Sequence, residues 1–381
     1  MPAPLATDLA TDLAEGRSHL AIYDDKNKLK LGTFATNVSY GLSISEAPTT
    51  YEVSWEHTRK LARQSDAMGL DMVVPVSRWR GFGGATNFNG ESFDTYTWAA
   101  GLAQVTERIM VFATSHVPVI HPIVAAKQAA TVDHISNGRF GLNLVMGWFT
   151  PELEMFGSSQ REHDERYRVG DEWLHIVKRL WTEEDPFSVD GAFYSVKDAQ
   201  SWPKPIQRPH PVIMNAGASP AGSDFSARHA DVSFIAVKDP ATAAERIQKF
   251  KSDAFDKYHR NPLVFSGAYV VCADTEKEAH DQLRSVVDGG DREAARNLMQ
   301  VLGIQSGSFD EILAQATEDA FITGWGTPVF LGTPEQITDR LIGLENAGIS
   351  GVTLGFHDYE RGLEHFGESV LPLLRQAGLR A

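Results

Sequence analysis

The chain has 381 residues, 42% hydrophobic and 22% charged, enough to bury one large core or two ordinary ones. A formal charge of −15 with no basic cluster argues against nucleic acid or an anionic membrane as a partner. A single cysteine, Cys272, excludes an internal disulfide, and no apolar run reaches membrane-spanning length, so a reducing, cytoplasmic setting is expected.

Residues 1–28 are polar and rich in Ala and Asp, and are expected to form a poorly ordered arm ahead of one domain spanning 29–381. Lys30–Ala35 reads as a first strand, Tyr51–Met68 as a helix closed by Gly69, and DMVVPV from Asp71 as a second strand that Pro75 weakens. A glycine-rich loop, SRWRGFGGATNFNGESF, covers 77–93 and carries two arginines and several aromatics. Helix Asp94–Val105, strand Arg108–Thr114, helix Pro122–Ile135, strand Arg139–Leu144 and helix Arg166–Trp181 follow. Residues 186–209 read as a hairpin excursion with a proline-rich return. Strands from Pro211, Asp231–Val237 and Leu263–Cys272 then alternate with helices Ser219–Ala230, Ala241–Tyr258 and Glu276–Val287. The rhythm breaks over 288–331, where Gly289, Gly290, Gly303, Gly307, Gly324 and Gly326 suggest the hinges of a mobile lid. Helix Pro334–Ala347, strand Ser350–Gly355 and helix Tyr359–Gln376 close the chain.

Eight strand-then-helix units with short apolar strands predict an α/β (β/α)8 TIM barrel with insertions. Neither GxGxxG after the first strand nor GxxxxGK[ST] occurs, which removes support for Rossmann and P-loop readings. Polar residues following the strands would meet on one face of such a barrel: Ser77 and Arg78, Thr114 and His116, and Asn143 with Trp148 and Glu152. Asn143 is an amide in a strand that should be buried, so it needs a protein neighbour or a ligand. Gly217–Gly222, small residues leading into a helix, suits a phosphate through backbone N–H groups and the Ser219 hydroxyl, although Ser219 equally suits a plain helix cap.

The blocks SRWRGFGGATNF (77–88), RIMVFATSHVPVIHP (108–122), DHISNGRFGLNLVMGWFTPELEMFG (133–157), HDERY (163–167) and MNAGASPAG (214–222) resemble the luciferase-like, reduced-flavin-dependent monooxygenases, most of all the members acting on dimethyl sulfone and on pyrimidines. The resemblance covers roughly 30–375. It implies FMN, entering as FMNH2, at the mouth of the barrel, with Ser77 and Arg78 along the flavin and Asn143 and Glu152 at its ring or ribityl chain. Arg166, Tyr167 and Ser219 would hold the phosphate. Thr114 and Asn143 match a pair that cradles dioxygen in relatives of this kind.

The reaction so implied is two-component. A separate NAD(P)H-dependent flavin reductase delivers FMNH2, and a flavin peroxide oxidises a small organic substrate, with sulfone-type carbon–sulfur cleavage favoured over oxidative opening of an amide or heteroaromatic ring. A non-catalytic flavin-binding relative is the alternative from another class. The resemblance also implies a homo-oligomer, dimer or tetramer. His116 is a candidate proton donor and His121 a substrate contact, unless it simply caps the helix at Pro122. Trp148, Trp325 and His357 are candidate walls of the substrate pocket. No metal site is expected, since His163 and Asp164 lack a third ligand.

Overall fold

The computed structural model describes residues 17–237, 240–303 and 311–381. In chain order its elements are β1 (Lys30–Phe34), α1 (Trp55–Ala67), β2 (Met72–Val74), α2 (Thr95–Ala103), β3 (Met110–His116), α3 (Pro122–Ile135), β4 (Phe140–Val145), α4 (Thr150–Met155) and α5 (His163–Thr182). A hairpin, β5 (Phe187–Asp190) and β6 (Ser195–Ala199), leads to β7 (Val212–Asn215), α6 (Pro220–His229), β8 (Val232–Phe234), α7 (Pro240–Tyr258) and β9 (Leu263–Cys272). The remainder is α8 (Glu276–Asp288), α9 (Arg292–Val301), α10 (Glu311–Ile322), β10 (Val329–Gly332), α11 (Pro334–Asn346), β11 (Gly351–Gly355), α12 (Tyr359–His365) and α13 (Leu371–Gln376).

The sheet runs β10-β9-β11-β1-β2-β3-β4-β7-β8, with β8 also paired to β9. Eight of these strands make the closed parallel barrel expected from the alternation, and β10 is an extra strand added beside β9. By its contacts the chain divides into two compact units. The first holds Asp94–Ile235 and Gln248–Val264 with the described part of Met1–Asp24, the second Asp25–Phe93, Ala236–Ile247 and Phe265–Ala381.

In the first unit β3, β4, β7 and β8 pair in parallel. Close packing here uses glycine: a Cβ on Gly141 of β4 would lie 2.3 Å from the Phe112 ring. Arg139, just before β4, donates to the carbonyls of Ile109 (2.7 Å) and Ala103 (2.9 Å). Asp231, just before β8, accepts from the Ile213 N–H at 2.9 Å and pairs with Arg17 at 3.1 Å and Arg260 at 2.9 Å. Burial alone would raise the Asp231 carboxyl, and the two guanidinium charges more than reverse that, holding it well below the usual carboxylate range.

Arg17 also corrects the expected arm. Residues 1–16 lie outside the described residues, but Arg17, Leu20 and Ile22 are buried, because the arginine supplies the charge that Asp231 requires. In the second unit β1 lies between β11 and β2, and β9 between β11 and β10. Asp71, before β2, accepts from Leu31 N–H (2.7 Å), Asn27 Nδ2 (3.0 Å) and Arg380 Nη1 (2.6 Å).

Several boundaries move for local reasons. α1 starts at Trp55 because Ser54 caps it, leaving Tyr51 outside the helix with its hydroxyl on the Val38 carbonyl at 2.8 Å. β2 stops at Val74, as Pro75 cannot continue a ladder. The 288–331 segment contains α9, α10 and the start of β10, and Gly307 falls outside the described residues.

Asp231→Asn is expected to cost about 3–5 kcal/mol in urea unfolding at neutral pH, because it leaves Arg17 and Arg260 short of their counter-charge. The wild-type contribution comes from a depressed carboxyl. It is therefore fully present above the ordinary value of about 3.9 and lost as pH falls below it, whereas the variant should lack this part of the acid dependence.

Candidate active site

β3 and β4 pair in register from Val111 opposite Phe140 to His116 opposite Val145. Side chains at alternate positions share a face, so Thr114 and Asn143, directly opposite one another, meet. Asn143 Nδ2 donates to Thr114 Oγ1 at 3.1 Å, with both residues buried. The Thr114 carbonyl accepts from Thr95 Oγ1 at 2.8 Å, which ties the strand to the start of α2. Asn143 Oδ1 is buried and has no hydrogen-bond partner among the described residues. An orphan acceptor of this kind costs about 1–3 kcal/mol, a cost that a donating ligand would remove.

Two residues further along β3, on the same face as Thr114, His116 places Nε2 3.9 Å from Glu152 Oε2, and Glu152 is only 3% exposed. The sequence places Glu152 in a loop; the structure gives it a short helix of its own, α4. Trp148 is half-buried, its ring 5.9 Å from Phe149 and its carbonyl accepting from Gln160 at 3.3 Å.

α5 and the β7–α6 turn build a second corner of this unit. Arg166 Nη1 donates to the Gly147 carbonyl at 2.8 Å, while its Nε is buried without a partner among the described residues. Tyr167 packs on Phe225 with ring centroids 5.8 Å apart. Burial pushes its phenol up, and a hydrogen bond with Ser219 acts the other way. Ser219 caps α6, its Oγ accepting from Gly222 N–H at 3.1 Å. The turn is closed down on itself: a Cβ on Gly217 would lie 2.6 Å from Gly222 Cα, and one on Gly222 would lie 2.4 Å from the Tyr167 hydroxyl. A helix N-terminus, a phenol, a hydroxyl and a guanidinium on neighbouring elements form a donor set suited to a phosphate.

Asn215 completes this unit and was not singled out from sequence. It is buried opposite Leu144, donates to the Leu144 carbonyl at 2.8 Å, and accepts from Gly217 N–H at 3.0 Å and Ser226 Oγ at 2.8 Å. It fixes the glycine turn to β4. The signal was present as a second amide in an otherwise apolar strand, VIMN. His121 is corrected by the structure: it is exposed, and its Nδ1 accepts from Ile123 N–H at 3.3 Å as the cap of α3, so nothing joins it to this group. His before Pro at a helix start suits that cap geometry.

In the second unit Ser77 and Arg78 are buried just after β2. The Arg78 guanidinium lies 5.0 Å from the centre of the Phe82 ring and 5.8 Å from that of Trp325, and Trp325 meets Phe88 edge-on at 5.7 Å. His357 follows β11. Its Nε2 is 3.1 Å from the Ala47 carbonyl, its Nδ1 is buried without a partner among the described residues, and burial lowers its pKa. It lines a cavity of about 480 Å³ with Tyr40, Ser43, Thr49, Thr86 and Glu91, within the size range of small-molecule pockets.

A family model described as "Luciferase-like monooxygenase" matches residues 31–351. A dimethylsulfone monooxygenase of Pseudomonas putida, described as FMNH2-dependent, is 32% identical over 356 residues, covering 91% of this chain and 96% of its own. A pyrimidine monooxygenase of Acinetobacter baylyi is 33% identical over 355 residues, covering 91% and 95%. Among solved structures, riboflavin lyase, crystallised with modified FMN and riboflavin, superposes with a TM-score of 0.82 at 22% identity over 93% of each chain.

Thr114→Val should strand the buried Nδ2 of Asn143 and lower stability by about 1–3 kcal/mol in chemical denaturation, while Thr114→Ser, which keeps the acceptor, should lose much less. Equal losses for the two variants would mean that the hydrogen bond is not what Thr114 contributes.

Proposed function

The chain belongs to the luciferase-like monooxygenase family, and from that premise we propose that it is a monooxygenase using reduced FMN and dioxygen on a small organosulfur substrate, with carbon–sulfur cleavage. The observation that carries the reading is the Thr114–Asn143 pair, a buried hydroxyl and amide whose remaining amide oxygen has no partner among the described residues. Reduced FMN, when bound, supplies the electrons for activating dioxygen.

The residues present fit such a group. Arg166, Tyr167 and Ser219 would hold the phosphate at the N-terminus of α6, and the glycine turn brings backbone there that any Cβ would obstruct. Asn143 Oδ1 would accept a hydrogen bond from the flavin, and Glu152 would contact its ring or ribityl chain. The family resemblance adds Ser77 and Arg78 as candidates for contact along the flavin.

The chain's own chemistry is positioning, exclusion of water and proton management. The Thr114 hydroxyl, already accepting from Asn143, is polarised as a donor toward oxygen. Phe112, on the same face of the strand pair as Thr114 and Asn143 and packed over Gly141, sets apolar bulk beside their dipoles. His116 is the candidate proton donor to the reacting group, buried with its Nε2 3.9 Å from Glu152 Oε2. Trp148 in the first unit and Trp325 in the second are each candidate apolar walls for a substrate, and His357 lines the cavity of about 480 Å³ that is the candidate substrate site of the second unit.

A separate NAD(P)H-dependent reductase is the expected source of reduced flavin, consistent with the lack of a dinucleotide fingerprint in the sequence. No helix among the described residues is long and apolar enough to cross a membrane.

The deciding experiment is anaerobic titration with reduced FMN, followed by mixing with oxygenated buffer and dimethyl sulfone. Tight binding with sulfone-dependent product formation supports the proposal, and failure to bind reduced FMN overturns it. For the phosphate corner, Ser219→Ala should weaken FMN by about 1–2 kcal/mol and leave riboflavin unchanged. Equal weakening of both would show that only the cap of α6 had been lost.

A further inference from the structure

The 288–331 insertion reads from sequence as a lid, but its contacts within the second unit are those of a latch. Asp291, the N-cap of α9, spends one carboxylate oxygen on its own helix, accepting Ala294 N–H at 3.0 Å. The other oxygen reaches into the glycine-rich loop, accepting the backbone N–H of Thr86 at 2.7 Å and its hydroxyl at 2.8 Å. Three residues along from Ala294, Asn297 Nδ2 donates to the Phe82 carbonyl at 2.8 Å. The loop meets the carboxylate with glycines at positive φ. A Cβ on Gly84 (φ +69°) would lie 2.5 Å from both oxygens of Asp291, and one on Gly83 (φ +71°) 3.3 Å from Asn297 Nδ2. Asp291 is itself held, its own N–H donating to the Ile44 carbonyl at 2.9 Å.

What the latch holds is chemically specific. The Phe82 ring, whose carbonyl Asn297 holds, lies against the Arg78 guanidinium, as does Trp325 from the far end of the same insertion. Thr86, fixed by Asp291, is a wall of the cavity that His357 lines. Arg78 lies five residues before Gly83 in this loop, its own carbonyl held by Ser92 Oγ at 2.6 Å, and the α9 contacts fix the glycine turn beyond it. We infer that Asp291 is a positioning residue: through Thr86 and the Phe82 turn, α9 sets the orientation of Arg78 and the wall of the substrate cavity. The part concerning flavin rests on the proposed cofactor; the latch itself does not.

Asparagine caps a helix about as well as aspartate but offers one acceptor oxygen, so Asp291→Asn keeps the cap of α9 and removes the acceptor of Thr86 N–H. Hydrogen exchange of the full chain should then be about tenfold faster in peptides spanning 76–93 and unchanged in 292–301. Thr86→Val, which deletes only the hydroxyl contact, should give a smaller change in the same peptides.

In anaerobic titration with reduced FMN, Asp291→Asn should weaken binding by about the same factor as Arg78→Lys, which keeps the charge and loses the planar stack. The double variant should be no weaker than Arg78→Lys alone. Unchanged exchange in 76–93 overturns the latch, and multiplicative losses in the double variant overturn its action through Arg78. If the wild-type protein binds no reduced FMN, the cofactor reading fails and the exchange measurement alone decides the latch.

Discussion

Two buried aspartates at the starts of parallel strands solve one problem in the same way. Asp71 before β2 and Asp231 before β8 each exchange a pair of hydrogen bonds with the preceding strand: Asp71 through Leu31, Asp231 through Ile213. Each then takes an arginine from a terminal segment of the chain, Arg380 for Asp71 and Arg17 for Asp231. A carboxylate withdrawn from water is tolerated only when it is paired and fully hydrogen-bonded, and Arg17 and Arg380 supply that charge. The exchange also sets the phase of the strand that follows. With a side-chain period of two, a slip by one residue would turn every inward group outward.

That phase makes the opposite ends of the strands useful. Thr114 and Asn143 are 29 residues apart, yet pairing of β3 with β4 puts them side by side and places His116 on the same face one step on. Arg139 holds the start of β4 by satisfying the carbonyls of Ile109 and Ala103, and Asn215 holds its end by donating to Leu144. A buried amide with one oxygen unserved is costly inside an apolar strand pair, and a protein keeps such a cost where a ligand offsets it. In the second unit glycines allow a loop to approach closely, and a carboxylate outside the loop accepts from its Thr86 N–H.

The residues that carry the proposed chemistry were legible because each broke a local pattern: an amide in an apolar strand at Asn143, an acid after a tryptophan at Glu152, and small residues before a helix at Ser219. Asn215 broke the same pattern and was missed, since it sits two residues before the glycine turn that drew attention. For His121 the sequence left two readings open, substrate contact or helix cap, because a histidine near a strand end looks the same in both, and the structure shows the cap. In the insertion, glycine spacing is equally consistent with a hinge and with a tight, latched approach.

Strand and helix alternation, the absence of nucleotide fingerprints and the distinctive blocks over 77–222 were properties of the sequence by itself, because periodicity and local composition depend on near neighbours along the chain. Register, charge pairing and the direction of the latch belonged to the tertiary structure alone. Thr114 and Asn143, Arg17 and Asp231, and Thr86 and Asp291 are separated by 29 to 214 positions, and no local propensity encodes which distant partner satisfies a buried polar group. That choice is made only when burial removes water as the alternative partner.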